Sequence, residues 1–93
     1  MTTDFEWDRE KETNNIRKHG VAFDEAQTIF DDPFFLSIDD PIHSVGETRF
    51  LAIGYSMHQR LLAVVYTERG NATRIISARM VTNWERSIYE QGN

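Results

Sequence analysis

Leu61-Leu62-Ala63-Val64-Val65-Tyr66 is the stretch on which the fold turns. It is an unbroken apolar run, too short for a buried helix and rich in strand-forming side chains, so it reads as a strand covered on both faces. Such a strand is central, and its neighbours lie on either side in the chain. Arg49–Tyr55 precedes it across the linker Ser56-Met57-His58-Gln59-Arg60. Arg74–Arg79 follows it across Arg69-Gly70-Asn71, a turn composition. Three strands joined by short connections form an antiparallel meander.

The remaining segments fit around that meander. Asp4–Trp7 reads as a short strand with Phe5 and Trp7 on one face. Asp8 is placed to cap a mostly polar helix from Arg9 to about Lys18, which Gly20 ends. Phe23–Phe30 has Ala26, Ile29 and Phe30 at helical spacing, and Asp32-Pro33 stops it. Phe34–Ile38 is a further strand, followed by a polar loop to Glu47. Thr82-Asn83-Trp84-Glu85 is a capping box opening a last helix to about Glu90, on which Trp84 and Ile88 are expected to face the sheet. The expectation is a single α+β domain over residues 1–93, with helices packed on a small antiparallel sheet: the meander plus one or two added strands.

Composition narrows the chemistry. The chain has no cysteine, which excludes disulfides, a thiol nucleophile and Cys-ligated zinc. No apolar run approaches a membrane span, and Met1-Thr2-Thr3-Asp4 lacks the features of a signal peptide, so a cytoplasmic location is expected. Charge is divided unevenly. Residues 1–48 hold four Lys/Arg against twelve Asp/Glu (−8), and residues 49–93 hold six Arg against three Glu (+3), which together give −5. A surface built by the second half alone can therefore be locally basic, while the first half would attract a basic partner segment. Asp31-Asp32 and Asp39-Asp40 read as helix and strand ends, no His-x₃-His spacing occurs, and no Gly-rich phosphate loop is present, so neither a metal nor a cofactor is expected.

Phe5-Glu6-Trp7-Asp8, Lys11, Asn14, Lys18-His19-Gly20-Val21, Phe23, Glu25-Ala26 and Asp32-Pro33 resemble the opening of BrnT toxins. Glu47-Thr48-Arg49, Ile53-Gly54, Val64-Val65-Tyr66-Thr67, Arg74-Ile75-Ile76-Ser77-Ala78-Arg79, Glu85-Arg86 and Tyr89 continue the resemblance over roughly residues 5–90. It implies a fold similar to RelE-type ribonuclease toxins and RNA cleavage that arrests growth. It also implies a hetero-oligomer with a DNA-binding BrnA-type antitoxin, with DNA contacted only through that partner. A non-catalytic antitoxin-binding module acting in autoregulation is the alternative.

Metal-free RNA cleavage needs a base for the 2′-hydroxyl, an acid for the 5′-oxygen and a cation for the phosphorane. Arginine suits the cation because its fork matches two phosphate oxygens. Arg79 is the leading candidate, with Arg60 and Arg69 near strand ends. Arg49 and Arg74 are further RNA contacts, though strict alternation puts Arg74 and Arg79 on opposite faces unless a bulge intervenes. His19, at a helix C-terminus, is the leading proton-transfer group, against the plainer role of ending that helix. Glu47 and Glu68 are alternative bases, and Glu47 is as well read as an ion-pair partner of Arg49. Lys18, seven residues after Lys11 on one helix side, is a candidate phosphate contact, against a simple solvated face. Tyr55, at a strand end, is the candidate for stacking on a base, against rim packing. His43 and His58 read as solvent-facing loop residues.

Overall fold

The computed structural model describes residues 4–92. Strand β1 (Asp4–Glu6) leads into helix α1 (Arg9–His19), then α2 (Phe23–Ala26), which tightens into a 3-10 segment at Gln27–Asp31. Strands β2 (Leu36–Asp39), β3 (Phe50–Tyr55), β4 (Leu61–Arg69) and β5 (Ala72–Met80) follow, and α3 (Asn83–Gln91) closes the domain. The predicted second helix is thus real, but only its first turn is α-helical.

The strands form one sheet in the order β1-β5-β4-β3-β2. The meander β3-β4-β5 and the β2-β3 pair are antiparallel, as the sequence predicts. The sheet as a whole is mixed, because β1 lies parallel to β5, with Phe5 opposite Thr73. This corrects the expectation of a purely antiparallel sheet. The cause is topological: α1, α2 and three strands intervene between β1 and β5, and that long connection allows a parallel return.

β4 is buried from Leu61 through Thr67, the central position its apolar run predicts. Leu62, Val64, Tyr66, Ala52, Ile75 and Ala78 form one face of the sheet and pack beneath Val21, Phe23, Ala26 and Ile29. The opposite face carries Ile53 and Leu61, covered by Tyr89 and Ile88 of α3. Burying apolar area on both sides supplies the driving force for this small fold, at roughly 25 cal/mol per Å².

Two departures from simple periodicity matter. Val65 stands opposite Ser77 and Tyr66 opposite Ile75, so Ile76 is an extra residue bulging from β5. On α3, Trp84 is 63% exposed rather than facing the sheet. Glu85 and Tyr89 occupy the inner face instead, because Glu85 closes the capping box with Thr82 and also binds Arg79.

Candidate functional site

The bulge at Ile76 decides which arginines meet. Cross-strand partners share a face, so Arg79 (opposite Ala63), Ser77 (opposite Val65) and Arg74 (opposite Thr67) all lie on the α3 side of the sheet. Extending the β3-β4 register by one residue adds Arg49 beside Thr67, whose hydroxyl donates to the Thr48 carbonyl at 2.7 Å. Alternation along β4 adds Arg69. Four of the five predicted arginines therefore share one surface.

Each is met by a carboxylate. Arg79 forms a two-pronged pair with buried Glu85, at 2.7 and 2.8 Å. Hydrogen bonding to Arg79 is the chief reason the Glu85 carboxyl lies below the usual glutamate range, and the same bond raises Arg79. Arg74 holds Glu6 at 2.8 Å. Glu47, a candidate base, instead spans Arg49 at 3.5 Å and Arg69 at 3.6 Å. Those two contacts are long, and the Nε of Arg49 is buried without a hydrogen-bond partner.

Arg60 does not join this surface. Its guanidinium grips Glu25 of α2 through both carboxylate oxygens and donates to the Gly20 carbonyl at 3.1 Å. Ser56 donates to the same Glu25 at 2.6 Å, so the cluster anchors the β3-β4 loop to the helices. Tyr55 is also apart, six residues along β3 from Arg49, or about 20 Å. It lies edge-on to Tyr89, 5.5 Å between ring centres, and lines a 420 Å³ pocket with Thr28, Asp31, Asp32 and Met57. Glu68 is exposed near the end of β4.

His19 and Lys18 are exposed at the end of α1. Asp8 caps this helix by accepting from Glu10 and Lys11 N–H, and Gly20 closes it at φ 69°. Asn15 then fixes α1 against the open edge of β5. Its amide donates to the Ala78 carbonyl at 2.8 Å and accepts from the Ala78 N–H at 3.0 Å. The result is a pocket of 180 Å³ lined by Lys11, Asn14, Lys18, His19, Ile76 and Ser77. Lys18 and His19 thus stand at the β5 rim of the arginine face.

His43 is exposed in its loop, as the sequence predicts, but it has a partner that the sequence reading did not assign. His43 Nδ1 lies 2.7 Å from Asp40 Oδ2, and the Asp40 side chain is only 11% exposed. The available signal was the Asp40-Pro41-Ile42-His43 spacing, a turn in which an aspartate faces the residue three positions on.

Among the described residues no helix is long and apolar enough to cross a membrane. No curated protein sequence matches the chain. The crystal structure of the Brucella abortus ribonuclease toxin BrnT is similar, with a TM-score of 0.64 and 26% identity over 88% of this chain and 100% of that one. The family model described as the ribonuclease toxin BrnT of type II toxin-antitoxin systems matches residues 7–85. With most of its length matched by that model, its fold similar to that toxin's and an antitoxin partner implied, the chain belongs to the BrnT toxin family.

Proposed function

We propose that the protein is a metal-independent endoribonuclease that arrests translation and growth, with RNA lying across the arginine-bearing face of the sheet. The observation that carries this reading is the β5 bulge, which turns Arg74, Ser77 and Arg79 toward the surface that already bears Arg49 and Arg69. The arginines are spread along the strands, so they suit successive phosphates of a single strand better than one phosphate. Arg79, Arg74, Arg69 and Arg49 supply charge stabilisation, and Lys18 and His19 extend the basic rim past β5. The kinship with RelE-type nucleases implied by the sequence resemblance supports the same substrate class. A BrnA-type antitoxin neutralises the toxin in a hetero-oligomer and contributes the DNA contacts, and the pair acts in the cytoplasm.

The test is incubation of the purified chain with RNA in excess EDTA. Cleavage under those conditions is expected. Intact RNA with EDTA, and cleavage only when a divalent cation is restored, would sink the metal-independent reading.

One observation favours a second reading. Every arginine on the face is already within 3.6 Å of a carboxylate, as ion pairs of a purely structural surface would be. A non-catalytic module that binds an antitoxin and tunes repression would look like this. Expression of the chain alone separates the two, since an inert module leaves growth unchanged.

A further inference from the structure

We propose that His43 is the general base of RNA cleavage, oriented by Asp40 at the edge of the sheet face that carries Arg49. The inference rests on the ribonuclease reading and assigns a catalytic residue within it.

The geometry begins at the end of β2. Leu36 packs with the α3-side cluster, so Ile38 and Asp40 follow it onto the same face. The Asp40 N–H donates to the Arg49 carbonyl at 3.0 Å, which sets Asp40 opposite Arg49. The intervening loop is clamped by its own side chain: the Ser44 hydroxyl donates to the Asp40 carbonyl at 2.7 Å and accepts from the Arg49 N–H at 2.9 Å. His43 is thereby held against Asp40 at the β2 edge of the sheet.

The pair has the polarity a base requires. An ionised Asp40 can only accept, so the hydrogen of this bond sits on Nδ1 and Nε2 is the ring nitrogen left for proton transfer. The His43 side chain is 58% exposed, so an RNA hydroxyl can reach it, whereas Asp40 is covered and fixed. Arg49 and Arg69 are the least committed cations on the face. Arg79 and Arg74 donate at 2.7–2.8 Å to their carboxylates, whereas Arg49 and Arg69 approach Glu47 only at 3.5 and 3.6 Å, and of these two Arg49 lies opposite Asp40.

In the reaction, the 2′-hydroxyl proton passes to His43 Nε2 as the P–O2′ bond forms. The P–O5′ bond breaks, and the 5′-oxygen takes a proton from water. The products are a 2′,3′-cyclic phosphate and a 5′-hydroxyl, and Arg49 stabilises the added charge on the phosphorane. His19 cannot share this phosphate. It stands at the β5 edge, and three strand spacings of about 4.8 Å separate β5 from β2, about 14 Å in all.

The experiment compares the purified wild-type chain with His43→Ala, His19→Ala and Asp40→Asn on a fluorescent single-stranded RNA oligonucleotide in EDTA. All four are checked for folding by circular dichroism. His43→Ala is expected to lose about 10²-fold or more in single-turnover rate, with RNA affinity unchanged, and added imidazole should restore part of it. Asp40→Asn is expected to lower kcat while leaving KM in place, and His19→Ala, on the binding rim, to weaken RNA binding at most while keeping the wild-type single-turnover rate at saturating RNA. A folded His43→Ala that cleaves at the wild-type rate overturns the assignment and leaves the nuclease reading standing. Loss of that saturating rate in His19→Ala alone moves proton transfer to the β5 rim and also overturns it. An inert wild type removes both.

Discussion

Arg79 is held by a carboxylate before it can hold a phosphate, and this changes what its replacement reports. The capping box of α3 is plain in the sequence, but that motif says nothing of Glu85 serving three donors: Thr82 N–H and both terminal nitrogens of Arg79. Arg79→Ala leaves the buried Glu85 carboxylate short of its main partner. The cost is expected to be roughly 1–3 kcal/mol, below the range for fully buried pairs because Arg79 is partly solvated. Denaturant unfolding measures it, and any loss of toxicity in this variant must be judged against that destabilisation. The same pair and the Glu25–Arg60 pair set an acid limit. Both glutamates have folded pKa values below their ordinary 4.5, chiefly through hydrogen bonds from their arginines. Their stabilisation is therefore complete above that pH and is lost as pH falls through the lower folded values. Melting temperature should fall on acidification below about pH 4.5, and Glu85→Gln should flatten that fall. An identical acid profile in Glu85→Gln would show that the pair contributes no pH-dependent stability.

At the scale of elements, what was legible follows from local pattern and what was hidden follows from partners distant in sequence. The apolar run Leu61–Tyr66 identified the central strand, and Asp8, Gly20 and Thr82 marked helix ends, because capping and burial act within a few residues. The parallel pairing of β1 depends on β5, the last strand to form the sheet in chain order. The bulge at Ile76 carries no glycine or proline to announce it, so strict alternation misplaced Arg74 relative to Arg79. Asn15 gives another case. In sequence it is one polar residue of a polar helix, yet it is buried and completes the β5 edge where β1 has ended. Its amide also donates to the Val21 carbonyl at 2.8 Å, so three backbone groups depend on it. Asn15→Leu keeps a similar volume and strands all three. A loss of about 2–5 kcal/mol is expected, from the desolvation cost of unpaired buried groups. It should appear as a lower urea midpoint with an unchanged slope. A midpoint equal to wild type would mean that α1 is docked by its apolar contacts alone.

For the whole molecule, the division of charge read from the sequence is partly undone by the fold, because Glu6 and Glu47 of the first half lie against arginines of the second. Arg69, Arg74 and Arg79 lie on β4 and β5 and Arg49 just before β3, so counts over the second half anticipated an arginine-bearing surface, while the bulge at Ile76 decides which side of the sheet bears it. The acidic first half places Glu10 and Asp24 as exposed residues on the helices. A chain of net charge −5 should therefore bind RNA in one orientation and weakly, through a local field rather than its overall charge. Counterion release turns this into a measurable slope. If Arg49, Arg69 and Arg74 each neutralise one phosphate of a single strand, log K for RNA binding should fall against log salt with a slope near −2, at about −0.7 per contact. Arg49→Gln should reduce the magnitude by about 0.7, because its contact with Glu47 is too long to replace a phosphate already. Lys11→Gln, on the helix side of the β5 rim, should change the slope less. Binding titrations at several salt concentrations with a non-cleavable 2′-deoxy-substituted strand measure the slopes without interference from cleavage. A slope near zero, or one equally reduced by Arg49→Gln and Lys11→Gln, would show that the strand does not follow the arginine face.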